Sequence, residues 1–174
     1  MRKLFLSVLA ASVLITGCGY STRSLLPEKF KTVFVRPFEN KIDYMNQDER
    51  KLYVPGLETQ VRQAVIDRYL FDGNLHPGQE GASDLVLQGK LLSFDRDDLR
   101  LTNNEDVKEY RLRITVELTL LDPVENKVVW KESAFGGEST YYTTGPLAKS
   151  ESAAIDDAVK DLAQRIVART IEDW

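Results

Sequence analysis

One cysteine and one histidine in 174 residues leave this chain little of the usual catalytic and metal-binding repertoire. With Cys18 alone there is no intramolecular disulfide. With His76 alone there is no multi-histidine zinc site, and no Cys–His or Ser–His pair away from that one imidazole. His76 sits beside Pro77 in a turn-rich stretch, where an exposed or structural side chain is expected. The acidic run Asp95-Arg96-Asp97-Asp98 lacks the spacing, the glycine and the closing glutamate of a calcium loop, and reads as a strand exit facing water. The glycines at 73, 81, 136 and 137 form no strand-to-helix phosphate loop. These gaps point to a protein that binds rather than catalyses, with no cofactor and no metal.

Positive charge is not in excess either: 23 basic residues stand against 27 acidic, a net charge of −4, which argues against nucleic acid as a partner while leaving room for a local basic patch. No apolar run reaches membrane-spanning length. The longest, Leu4 to Ile15, is shorter than the roughly 20 helical residues a bilayer core requires. Preceded by Arg2 and Lys3 and followed by Thr16 and Gly17, it reads as a secretory signal over residues 1–17. Ile15-Thr16-Gly17-Cys18 resembles the bacterial lipobox, which implies cleavage before Cys18 and acylation of that residue. An ordinary secreted chain whose one cysteine falls near its cleavage site is the alternative. Gly19 after the cysteine implies sorting to the outer membrane, lipid-anchored on the periplasmic side. Loss of residues 1–17 removes two basic residues and no acidic ones, so 21 stand against 27, a net of −6.

Residues 18–30 read as a lipidated N-terminus and tether, and 31–174 as a single domain long enough for a real core. Thr32–Phe38 is rich in β-branched and aromatic residues and reads as a strand, with Pro37 suited to its end. Residues 40–50 read as a polar loop. Leu57, Val61, Val65 and Tyr69 recur at four-residue spacing in a helix expected over 55–71, with Pro55 in its first turn and Asp72-Gly73-Asn74 as its stop. Strands are expected over 85–94, 110–121 and 128–135, with 138–143 as an extension beyond a weak point at Gly136-Gly137. A last helix over 150–171 has Ser150 as its cap and Ile155, Val159, Leu162 and Ile166 as its apolar stripe. The expected fold is an α+β sandwich: one mixed, mostly antiparallel sheet of about four strands with two helices on one face, in the order βαβββα.

Pairing the second and third strands about an Asn103–Asn104 turn sets Leu91 opposite Val116 and Leu87 opposite Leu120 on the face the helices cover. The same register sets Lys90 opposite Glu117, Phe94 opposite Arg113 and Arg96 opposite Arg111 on the other face, near Gln88, Thr115 and Thr119. Facing arginines repel unless an anion or carboxylate separates them. Lys90, Arg96, Arg111 and Arg113 are therefore the candidate binding residues, against the alternative of a solvated face neutralised locally by Asp95, Asp97 or Asp98.

Several segments together resemble the lipopolysaccharide-assembly lipoprotein family, LptE. They are Cys18-Gly19-Tyr20, the run from Lys31 to Lys41 (KTVFVRPFENK), Pro55-Gly56-Leu57-Glu58, Ala82 to Gly89, Glu109-Tyr110-Arg111-Leu112, Val129-Trp130 and a closing helix before Trp174. The resemblance implies an α/β plug for the LptD β-barrel that helps deliver lipopolysaccharide to the outer leaflet without catalysis. It also implies basic side chains meeting lipopolysaccharide phosphates, for which arginine's forked donors are suited. The stretch Val33 to Asn40 is also similar to lipoproteins of the CsgG and penicillin-binding-protein-activator type, under which the same face binds a protein partner.

Overall fold

The computed structural model describes residues 26–45, 51–101 and 106–172. The leader, Cys18, the Asn103–Asn104 turn and Trp174 lie outside them. The elements are β1 (Thr32–Val35), β2 (Glu39–Asn40), α1 (Leu57–Asp72), β3 (His76–Pro77), β4 (Leu85–Leu101), β5 (Val107–Asp122), β6 (Lys127–Tyr142) and α2 (Glu151–Glu172). The α+β class is as expected, but the sheet holds six strands, in the order β3-β1-β4-β5-β6, with β2 continuing β1 along the same edge of β4. β1, β2 and β3 pair in parallel and β4, β5 and β6 antiparallel. Two-residue strands such as β2 and β3 carry too few alternations to be seen in a sequence.

The break between β1 and β2 falls at Arg36-Pro37-Phe38. Proline cannot donate to the ladder, so the strand lifts off there. Phe38 turns into the core over Gly89, where a Cβ would collide with its ring. Of the expected 40–50 loop, residues 46–50 lie outside the described residues; on either side of them Ile42 is buried and Lys51 bridges to Asp95 of β4.

Leu57, Val61, Val65 and Tyr69 are fully buried on α1, at the spacing expected. The helix starts two residues later than predicted: Pro55 precedes it and Gly56 occupies the left-handed region at its cap, where a side chain would be strained. Gly73 closes it in the same conformation, donating its N–H to the Tyr69 carbonyl. α2 is capped by Ser150, whose Oγ accepts from Ala153 N–H at 3.2 Å. Its innermost row is Ala154, Ala158, Leu162, Ile166 and Thr170, all fully buried, while Ile155 is only partly so. The alanines let the helix lie close on the sheet, and the Tyr69 hydroxyl ties α1 to it by donating to Thr170 Oγ1 at 2.9 Å.

The domain begins before residue 31. Phe30 is in the core and Lys29 pairs with Asp122 at 3.3 Å. Where β1 starts, Asp84 accepts from the Lys31 and Thr32 N–H groups, each at 2.9 Å, and from Thr32 Oγ1 at 2.8 Å. The hydrogen bond from Lys31 N–H is the largest cause holding the Asp84 carboxyl below its usual range. A carboxylate with a depressed folded pKa adds stability that is present above its unfolded pKa and lost as pH falls through the folded value. Asp84→Asn is expected to cost about 2 kcal/mol at neutral pH. In thermal unfolding followed across pH, the gap from the parent should close below about pH 4.

Candidate functional site

β4 and β5 alternate because one side of the sheet is covered by helices and the other is not. Leu112, Ile114, Val116, Leu118 and Leu120 are fully buried under the helices, while Arg111, Thr115, Glu117 and Thr119 are half-buried and Arg113 exposed on the open side. At one end of the open face, across three strands, Lys90 donates to Glu117 at 2.8 Å and Lys131 approaches the other Glu117 oxygen at 3.4 Å. The hydrogen bond between Lys90 and Glu117 raises the lysine pKa and lowers the glutamate pKa, so both are charged at neutral pH.

Farther along, the register departs from the expected one. The pairs Leu87–Leu120, Lys90–Glu117 and Leu91–Val116 are as predicted, but a β-bulge between Leu91 and Ser93 shifts the pairs from Ser93 to Asp98 by one residue. Phe94 is opposite Ile114, not Arg113, and is fully buried. Arg96 is opposite Leu112, not Arg111, and so lies on the helix side: it pairs with Glu151 at 2.6 Å and stacks on the Tyr110 ring at 4.8 Å. Glu151 also accepts from the Tyr141 hydroxyl at 2.8 Å, and burial, first of the causes, pushes that phenol up to about 12. Arg96 is thus a staple between the sheet and the start of α2, and it leaves the set of candidate binding residues. Asp95 and Asp97 are not a strand exit, since β4 runs on to Leu101 and sets them opposite Arg113 and Arg111.

Arg111 and Arg113 remain together on the open face. Between them stands Glu138 of β6, 3.9 Å from Arg111 Nε and 3.8 Å from Arg113 Nη2. These separations are ion pairs but exceed hydrogen-bonding distance, and Arg111 Nε is buried with no hydrogen-bond partner among the described residues. Lys131 and Glu138 were not among the sequence candidates. The signal was weak, because Gly136-Gly137 interrupts the alternation of β6 that would have placed them. Gly137 faces the helices and is buried there.

A sheet with helices on one side and a charged open face on the other is an α+β sandwich. The sequence model of the lipopolysaccharide-assembly family, LptE, matches residues 30–170, and the chain belongs to that family. No curated protein sequence matches it. Among solved structures it is similar to the hypothetical protein CT253 from Chlamydia trachomatis, at 12% identity and a TM-score of 0.58 over 80% of this chain and 95% of that one. It is also similar to protein XCC0632 from Xanthomonas campestris, at 14% identity and a TM-score of 0.50 over 80% and 83%. At these identities the likeness concerns the fold.

Proposed function

We propose that the chain is an outer-membrane lipoprotein, anchored through Cys18 on the periplasmic side, that assists an LptD-type β-barrel in assembling lipopolysaccharide, and that its open face meets lipopolysaccharide phosphates. It acts by binding, without catalysis. Membership of the lipopolysaccharide-assembly family supports the process. The observation that carries the ligand contact is the Arg111–Arg113 pair: two guanidinium groups lie on the open face at ion-pair distance from Glu138, with Asp95 and Asp97 opposite them in the sheet, and an oxyanion competes with these carboxylates for their forked donors. Lys90 and Lys131, already joined through Glu117, supply further positive potential along the same face.

Arg111→Glu combined with Arg113→Glu is expected to weaken binding to purified lipopolysaccharide by roughly tenfold or more, since each charge-assisted bond contributes about 1.5–3 kcal/mol. The circular dichroism spectrum should not change. Arg96→Glu is the internal control: it breaks the Glu151 staple and lowers the melting temperature while leaving lipopolysaccharide affinity as it was. Equal binding by the double variant and the parent overturns the phosphate contact.

A further inference from the structure

Two carboxylates on the open face each serve a pair of cations, and they are held differently. The Glu117 side chain is 23% exposed; one of its oxygens accepts from Lys90 at 2.8 Å and the other lies 3.4 Å from Lys131, so both are engaged. The Glu138 side chain is 47% exposed and meets Arg111 and Arg113 through a single oxygen, Oε2, at 3.9 and 3.8 Å. Beside it, Arg111 Nε is a buried donor that finds no acceptor among the described residues. Buried donors are seldom left in that state, and those that are invite an explanation.

The backbone of Glu138 is fixed: it pairs opposite Arg113, and its N–H donates to Asp161 of α2 at 2.9 Å. The fold thus sets this carboxylate beside both arginines, yet too far from either to form a hydrogen bond. Asp95 and Asp97 lie opposite the arginines on β4 but form no ion pair with them among the described residues, and Asp95 accepts from Ser93 Oγ at 2.6 Å. They oppose any anion at this end of the face, whereas Glu138 occupies the place where one would sit.

We propose that Glu138 is a specificity-determining residue, a tethered stand-in anion that a phosphate monoester displaces from Arg111 and Arg113 and a phosphate diester does not. The inference rests on the phosphate reading of the open face and adds the class of phosphate. A carboxylate and a phosphodiester each carry a single negative charge on a pair of free oxygens. Exchanging one for the other gains nothing, and the incoming group also loses translational freedom that the tethered side chain never had. A monoester carries roughly −1.5 to −2 charge at neutral pH and a third terminal oxygen, so it serves both guanidinium forks at once. Glu138 thereby rejects the diester-linked headgroups of ordinary phospholipids, the bulk anions of a membrane, and admits a lipid that ends in a phosphate.

The test follows the Nε–Hε signals of Arg111 and Arg113 by nuclear magnetic resonance in the full chain purified in detergent, with methyl phosphate or dimethyl phosphate added at neutral pH. In the parent, methyl phosphate is expected to shift both signals and dimethyl phosphate neither. Glu138→Gln keeps the size of the side chain and the backbone bond to Asp161, so circular dichroism should not change. It should bind methyl phosphate roughly fivefold more tightly, the effect of removing about two exposed ion pairs, and let dimethyl phosphate shift the signals. Glu80→Gln makes the same change of net charge on the exposed turn at residues 79–82 and should titrate like the parent. Lipopolysaccharide should also bind Glu138→Gln roughly fivefold more tightly, a gain lost after phosphatase treatment of the lipid. If the methyl phosphate results hold but lipopolysaccharide is not bound, the filter stands and the lipopolysaccharide reading falls. If lipopolysaccharide binds through Arg111 and Arg113 but Glu138→Gln titrates like the parent, the reading stands and the filter is overturned. A parent whose arginines answer both esters alike, or neither, overturns it as well.

Discussion

Gly137→Ala is expected to lower the melting temperature by about 6–12 °C, corresponding to about 3 kcal/mol in a domain of this size. The reason lies in how α2 meets β6. A Cβ at residue 137 would come within 2.6 Å of both Cα and N of Leu162, which are helix backbone and have no rotamer to change. The helix must move as a body. That motion strains the fully buried row from Ala154 to Thr170 and the hydrogen bond from the Tyr69 hydroxyl. The adjacent Gly136 supplies the control, since its nearest neighbour would be the Ile114 carbonyl oxygen at 3.7 Å, an ordinary contact. Gly136→Ala should shift the melting temperature by no more than about 2 °C. Equal effects at the two positions, read by circular dichroism on heating, would contradict the close packing of α2 on the sheet.

Cys18→Ala is expected to move the purified protein almost wholly from the detergent-rich phase to the aqueous phase in a cloud-point partition, with loss of the acyl mass from the intact chain. Each buried methylene contributes about 0.8 kcal/mol, so two or more acyl chains dominate the partition of a domain whose net charge is strongly acidic. Partition of the purified protein separates the lipid anchor from retention by a membrane-embedded partner, which fractionation of cells would confuse. A Cys18→Ala variant that keeps the acyl mass contradicts acylation at Cys18.

Where a periodic signal ran unbroken, the fold was legible from the sequence. The four-residue spacing of Leu57, Val61, Val65 and Tyr69 and the two-residue alternation from Leu112 to Leu120 each reappear as buried rows. The hairpin register held as far as Leu91, since hydrophobic alternation fixes it. Beyond that point a single inserted residue moved Arg96 to the helix side, and nothing in the sequence marks a bulge between Leu91 and Ser93. Three of the four candidate residues lie on the open face as expected: Lys90 precedes the bulge, and Arg111 and Arg113 belong to β5, whose alternation is continuous, whereas Arg96 lies downstream of the bulge. Gly136-Gly137 read as a weak point in a strand, when a glycine was required by a helix seated against it. Local pattern does not report such non-local contacts.

The most direct test of the account is isolation of the tagged chain from detergent-extracted outer membranes, with the co-isolated protein and lipopolysaccharide both quantified. The account predicts a large β-barrel protein at close to equal amounts, with lipopolysaccharide bound by the parent and much reduced with Arg111→Glu and Arg113→Glu together. A peptidoglycan synthase in place of the barrel, or no barrel protein at comparable amounts, would contradict it.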